Sequence, residues 1–119
     1  MTAKGYWIAN NDIRDWVGIA HYRGANKAVM DRYGANFIIM GGDRMVVEGP
    51  EEAIRGNFTV VEFPSREAAI ACYYDPEYVA AAKLRHAVAE GSQVIVEGYD
   101  GPQDFDEASF LRSLGVAAQ

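Results

Sequence analysis

Two carboxylates follow valine-rich segments, and each could take part in proton transfer. Glu62 comes after Val60 and Val61, and Glu97 comes after the apolar run 94–96. A carboxylate held in an apolar cavity has a raised pKa and can act as a general base. Both residues could instead lie solvated at strand ends or pair with lysine or arginine, since ionised carboxylates are rarely buried alone. We favour this second interpretation, and keep Glu62 as a candidate catalytic and ligand-binding residue.

Arg85 is a candidate catalytic residue and a candidate for binding the carboxylate of a ligand. It lies in an alanine-rich segment, two helical turns after Tyr78, so the two side chains share one helix face. A guanidinium there can hold a carboxylate through two parallel hydrogen bonds. Arg85 could equally form an ion pair with Glu62 or Glu77 and support the fold, and the sequence leaves these alternatives open.

Tyrosines are numerous for a chain of this length, with seven among 119 residues. Tyr22 and Tyr78 are each predicted on a helix face directed to the sheet, where their hydroxyls could orient a ligand. With Tyr73, Glu62 and Arg85 they form the predicted ligand-binding set. Most of the remaining aromatic side chains are expected in the core.

His21 and His86 are the two histidines, and His21 is kept as a candidate catalytic base because imidazole titrates near neutral pH. A solvent-facing helix position is the simpler expectation for both. They have no cysteine, histidine or carboxylate at metal-binding spacing, so neither a metal site nor a cofactor is predicted. Cys72, in an apolar helical segment, is interpreted as a small core residue and not a nucleophile.

The elements that must position these residues alternate in a recognisable order. The predicted strands are 4–10, 36–40, 58–63 and 94–96, and the predicted helices are about 13–32 and 67–90. One residue of 10–12 should cap the first helix, and Ser65 the second, in which Asp75 and Pro76 mark a restart. Gly41 and Gly42 should break or bulge the second strand before an extended run at 45–48.

Strand-helix-strand-strand-helix-strand is the ferredoxin-like pattern of α+β proteins. With right-handed crossovers it predicts a four-stranded antiparallel sheet in strand order 4-1-3-2, with both helices on one face. Alternation leaves an apolar set of side chains on the opposite face as well, which would be exposed unless something covers it. A second copy is the simplest cover, so we predict a two-fold homodimer through the sheet faces.

The expected domain is 1–98, followed by a tail at 99–119. An Asp-Gly-Pro breaker opens the tail, and a short amphipathic pattern then predicts one small helix that its own domain or a partner subunit could cover. The pattern consists of Phe105, Ala108, Phe110, Leu111 and Leu114.

Composition excludes several classes of function. The net charge of −6 without a basic cluster argues against nucleic-acid binding, which depends on Lys and Arg. No segment reaches the ~20 apolar residues of a membrane span. The N-terminus lacks signal-peptide features, and a single cysteine suits a reducing compartment, so a cytoplasmic location is expected.

Several segments resemble the domain-of-unknown-function-1330 family of the dimeric α+β barrel superfamily. They are Gly5 to Ile8, Gly41 to Gly42, Val61 to Ser65, Tyr73 to Tyr78 and Val94 to Gly98. The resemblance covers roughly residues 4–98. It implies a dimeric barrel with a cavity in each subunit between sheet and helices, and it implies no established reaction. Related families on this scaffold include cofactor-independent monooxygenases, haem-degrading enzymes and stress-induced proteins.

We therefore predict a cytoplasmic homodimer that binds a small aromatic or carboxylate-bearing molecule between sheet and helices. One alternative is a cofactor-independent oxygenase or isomerase-like enzyme, in which Tyr22, Tyr78 and Arg85 position the substrate and Glu62 or a histidine moves a proton. Another alternative is a structural or stress-related dimer with a filled core and no ligand. A cavity with apolar walls and a few convergent polar groups would distinguish the first two from the third.

Overall fold

The four strands form one antiparallel sheet, which has three helices against one face. The computed structural model describes residues 3–50, 56–103 and 106–115. Its elements are β1 (Gly5–Ile13), α1 (Trp16–Arg32), β2 (Asn36–Met40), β3 (Asn57–Phe63), α2 (Arg66–Tyr74), α3 (Pro76–His86), β4 (Ala89–Glu97) and α4 (Glu107–Ser113). The strand order β2-β3-β1-β4 is the predicted order read from the other edge, so the ferredoxin-like prediction is confirmed.

Two predicted helix boundaries are wrong because β1 and β4 are longer than expected. Their antiparallel pairing continues to Ile13 opposite Ala89, so the first helix cannot begin at Ile13. It begins after Asp15, whose carboxylate accepts hydrogen bonds from two backbone N–H groups of the first turn. The third helix ends at His86, and Gly91 lies inside β4, where a Cβ would collide with the backbone of Asn10.

The crossover after β3 is two helices, as the sequence predicts. Ser65 caps α2, and Asp75 caps α3 by accepting the Glu77 N–H at 2.8 Å. The same carboxylate accepts from the Tyr33 hydroxyl at 2.8 Å and pairs with Arg32. The Glu77 N–H, the Tyr33 hydroxyl and Arg32 together lower the pKa of Asp75. Asp75 therefore joins the end of α1 to the junction of α2 and α3.

The core lies between the sheet and the helices. The indole N–H of Trp7 donates to the Ala69 carbonyl at 2.9 Å, which fixes β1 against α2. The ring of Trp7 also packs against those of Phe63 and Tyr78 at centroid distances of 4.8 and 4.9 Å. The other core residues are Val29, Met30, Val61, Ala69, Cys72 and Ala82.

The opposite face of the sheet is apolar, and no helix of the described residues covers it. The register aligns Ile8 with Val60 and Val94, on the side away from the helices. Val94 and Val96 are 54% and 41% exposed. The predicted second apolar face is therefore present.

The segment after β2 does not resume as a strand at 45–48, contrary to the prediction. Gly41 and Gly42 both have positive φ and turn the chain, and Met45 and Val47 are exposed. The bulge lies earlier than predicted, where the register shifts between Phe37 and Ile39. Residues 51–55, between this segment and β3, lie outside the described residues.

The tail contains α4, capped by Asp106, which accepts from the Ser109 N–H at 2.9 Å. Phe105 of the predicted amphipathic pattern lies outside the described residues, and no residue of α4 is buried. None of the helices in the described ranges is both long and apolar enough to cross a membrane.

Candidate functional site

A cavity of about 70 Å³ lies between the sheet and helices α1 and α3. Alternate residues of the four strands form its floor, and residues spaced about one turn apart along α1, together with Arg85 of α3, form its roof. The floor consists of Trp7, Ala9, Asn11, Ile13, Phe37, Asn57, Thr59, Val61 and Gln93, and the roof of Ile19, Tyr22, Arg23, Asn26, Met30 and Arg85. The same two periodicities that form strand and helix thus place mixed apolar and polar side chains around one space.

Arg85 brings a positive charge into this cavity without a carboxylate partner. The residue is only 8% exposed, and its Nε and Nη2 atoms have no hydrogen-bond partner among the described residues. Neither predicted ion pair forms: Glu77 pairs with Arg32 at 3.0 Å, and Glu62 lies on the other face of the sheet. A buried guanidinium of this kind is energetically costly unless a ligand supplies the acceptor.

Two tyrosine hydroxyls lie beside Arg85. The hydroxyl oxygens of Tyr22 and Tyr78 are 2.6 Å apart, and the Arg85 Cζ lies 5.6 Å from the centre of the Tyr22 ring. Burial and the neighbouring Tyr22 raise the pKa of Tyr78 well above its usual value. Burial lowers the pKa of Arg85, but the two tyrosines outweigh it, so that the pKa is raised overall. At neutral pH Tyr78 is therefore a neutral phenol beside the cationic Arg85.

Asn26 and Gln93 are polar residues of the cavity that the sequence analysis did not identify as site residues. Asn26 is 2% exposed, and neither its Nδ2 atom nor the Nε2 atom of Gln93 has a hydrogen-bond partner in the described part of the chain. One signal was available: Asn26 interrupts the apolar stripe of α1 one turn after Tyr22. Buried amide N–H groups normally donate a hydrogen bond, so these two donors are available to an acceptor on a ligand.

The charges and donors around the cavity favour an anionic ligand. Arg23 and Arg85 line it, and no aspartate or glutamate of the described ranges does. In the described part of the chain, no group of three or more histidine, cysteine or carboxylate side chains could hold a metal ion. Guanidinium and amide N–H groups donate to oxygens and cannot bind a cation. The arrangement suits a carboxylate with an apolar body.

The structure brings together only part of the predicted site. Tyr22 and Arg85 line the cavity, and Tyr78 is one hydrogen bond away from it. Tyr73 is half-buried and packs against the core instead, with its ring edge-on to that of Trp7 at a centroid distance of 5.7 Å. Tyr73 is not among the residues that line the cavity.

The predicted proton-transfer residues lie elsewhere. Glu62 is on the uncovered sheet face, where it accepts a hydrogen bond from the Tyr6 hydroxyl at 3.0 Å. Glu97 is opposite Gly5, on the other face and exposed, so the two carboxylates cannot share a cavity within one chain. His21 and His86 are both exposed.

Cys72 is buried in the core, as predicted. Burial, with a smaller contribution from Asp75, raises the pKa of its thiol to about 12, so it is not a nucleophile at neutral pH.

A second recess, the outer groove, lies between α1 and β2 and has a volume of about 410 Å³. Four residues are common to the cavity and the outer groove, namely Arg23, Asn26, Met30 and Phe37. The guanidinium of Arg23 lies 4.1 Å from the centre of the Phe37 ring. These shared residues form the boundary between the two spaces.

The fold and the cavity define an α+β protein of the ferredoxin-like class, with a small recess between sheet and helices. The family described as Domain of unknown function (DUF1330) matches residues 4–99, and the chain belongs to this family. No functionally curated protein matches the sequence.

Several solved structures share the fold. A protein of unknown function from Rhodopseudomonas palustris has 18% identity and a TM-score of 0.68, over 85% of this chain and 86% of that one. SnoaB, a cofactor-independent oxygenase from Streptomyces nogalater, has 8% identity and a TM-score of 0.54, over 87% and 100%. A dimeric protein of unknown function and ferredoxin-like fold from Bacteroides fragilis has 19% identity and a TM-score of 0.50, over 79% and 95%. At these identities the likeness concerns the fold alone.

Proposed function

We propose that this protein is a homodimer that binds a small organic carboxylate in the cavity of each subunit. The observation that carries the proposal is the buried guanidinium of Arg85, which has unpartnered N–H donors and no carboxylate beside it. A ligand carboxylate supplies both the opposite charge and the acceptor oxygens.

The apolar walls determine what else the ligand carries. Trp7, Ile19, Met30 and Phe37 line the cavity and suit a hydrocarbon or aromatic body. The amide donors of Asn26 and Gln93 would bind the second carboxylate oxygen or a carbonyl. At about 70 Å³ the cavity has room for several water-sized groups, so the part of the ligand inside it is small. An open cavity also speaks against a structural dimer with a filled core.

The homodimer is supported by the uncovered sheet face. Ile8, Val94 and Val96 form an apolar surface on it, which a second sheet of the same kind would cover. The fold likeness to a protein from Bacteroides fragilis described as dimeric supports the same assembly.

A second candidate is a cofactor-independent oxygenase, supported by the fold likeness to SnoaB. The observation that favours it is the Tyr22–Tyr78 hydroxyl pair beside Arg85, since such donors can stabilise an oxyanion that develops on a substrate. Among the described residues no carboxylate or histidine lines the cavity to act as a base. This candidate therefore requires a substrate that is already ionised when it binds.

Thermal denaturation with matched pairs of small molecules tests the binding proposal. Benzoate and pentanoate should raise the melting temperature in a concentration-dependent way, and benzamide and pentanamide should not, because the amides keep the shape but lack the charge. Equal shifts for acids and amides, or none for either, would contradict it. Oxygen uptake on adding an ionised phenol tests the second candidate, and native mass spectrometry of the untagged protein tests the dimer.

A further inference from the structure

The boundary between the cavity and the outer groove contains a second cation. We propose that Arg23 binds a second anionic group of the ligand, so that the preferred ligand is a dicarboxylate that spans both spaces. This inference rests on the proposed function, because it takes Arg85 as the binding residue of the first carboxylate.

Arg23 is positioned for this role and has only replaceable contacts. It lines both spaces, and its guanidinium contacts the Phe37 ring and, at 3.8 Å from Nη1, the Met40 sulfur. Neither contact neutralises its charge, and among the described residues no carboxylate pairs with it. Lys27, one turn later on the same helix, is by contrast paired with Asp31 at 2.7 Å. A carboxylate could therefore displace the sulfur contact of Arg23 without breaking an ion pair.

The space between the two arginines can receive the rest of the ligand. Asn26 lines both spaces, is 2% exposed and has an Nδ2 atom without a described hydrogen-bond partner. Met30 and Phe37 are the apolar residues beside it. The outer groove is open above Gly24, where an added Cβ would meet nothing within 4 Å. A ligand with an apolar spacer and an acidic group at each end fits this arrangement of donors and apolar side chains.

The charge balance favours two acidic groups over one. Arg23 and Arg85 line the cavity, and no acidic side chain of the described residues does. Asp31 lines the outer groove, where it pairs with Lys27 and not with Arg23. A monocarboxylate would leave one of the two arginines unpaired, and a dicarboxylate pairs both. Ion pairs with a half-buried arginine are worth more than those at the open surface, because solvent screens them less.

Isothermal titration calorimetry with matched acids tests the second subsite. The probes are pentanoate with glutarate and hexanoate with adipate, and the proteins are wild type, Arg23→Gln and Arg14→Gln. Arg14→Gln is the control, since it removes the same charge from an exposed ion pair with Glu90 outside the cavity. In wild type, glutarate should bind about tenfold more tightly than pentanoate, or adipate about tenfold more tightly than hexanoate. A tenfold difference corresponds to one added charge-assisted hydrogen bond.

Arg23→Gln should bring that ratio to about one, because it weakens diacid binding more than monoacid binding, whereas Arg14→Gln should keep the ratio. If no diacid is preferred by wild type, or if the preference survives in Arg23→Gln, the second subsite is refuted. The proposed function would still stand after either of these results if a monoacid binds the wild type and does not bind Arg85→Met. If no acid binds wild type, both proposals are refuted.

Discussion

Replacing Arg85 by methionine removes a buried charge and keeps an unbranched side chain that can fill part of its space. The guanidinium is 8% exposed and has unpartnered Nε and Nη2 atoms, and its desolvation is offset by the hydroxyls of Tyr22 and Tyr78 and by no carboxylate of the described residues. Replacing buried charges by apolar side chains is often neutral or stabilising. We therefore expect Arg85→Met to leave the free energy of unfolding unchanged or to raise it by about 1–2 kcal/mol.

The same substitution should greatly weaken carboxylate binding. Two charge-assisted hydrogen bonds, from Nε and Nη2 of Arg85, contribute about 1.5 kcal/mol each at the lower end of their usual range, or about 3 kcal/mol together. Their loss raises Kd at least about 150-fold. In urea denaturation, ligand at 100 times the wild-type Kd should add about 2.7 kcal/mol to the wild type and only about 0.3 kcal/mol to Arg85→Met.

Arg14→Met is the matched control, because Arg14 forms an exposed ion pair with Glu90. It should change the free energy of unfolding by no more than about 0.5 kcal/mol and keep the full stabilisation by ligand. The reasoning is refuted if Arg85→Met lowers the free energy of unfolding by more than about 2 kcal/mol while ligand still stabilises it fully. Arg85 would then support the fold and not the ligand.

Three further predictions concern the surroundings of the site. Tyr22→Phe should lower the free energy of unfolding by roughly 1–2 kcal/mol, because it removes the hydroxyl partner of the fully buried Tyr78, and the double change with Tyr78→Phe should cost less than the sum. Val94→Lys puts a charge on the uncovered sheet face and should convert dimer to monomer in sedimentation experiments. Leu84→Lys, at an exposed position of α3, should not. Because the pKa of Asp75 is lowered in the folded chain, its contribution is present above the ordinary value of 3.8 and is lost as pH falls below it. Urea denaturation from pH 7 to pH 3 should therefore show a shallower decline in stability for Asp75→Asn than for wild type.

The strand order and the broken crossover helix could be predicted because local rules decide them. Asp75 before Pro76 is a helix N-cap followed by a residue suited only to a first turn, and the structure has that boundary. Ser65 after a strand is the same kind of signal. The right-handed crossover rule then leaves one sheet order for this sequence of elements.

The ends of β1 and β4 could not be predicted in this way, because pairing between distant segments overrides local preference. The segment at Glu90 and Gly91 resembles a helix end by itself, yet it pairs with Asp12 and Asn11 as strand. The glycine is needed for close approach to Asn10 and not as a helix cap. Only the assembled sheet distinguishes these two uses of one residue.

The sequence by itself determined the ferredoxin-like order, the two apolar faces of the sheet and the shared helix face of Tyr78 and Arg85, since each follows from spacing of 2 or 3.6 residues. Tertiary structure alone decided that Glu62 faces away from the cavity, because register sets the face of a strand residue. It also decided that Asn26 and Gln93 meet Arg85 without hydrogen-bond partners. Whether a buried donor is satisfied depends on residues distant in the chain, which no local pattern contains.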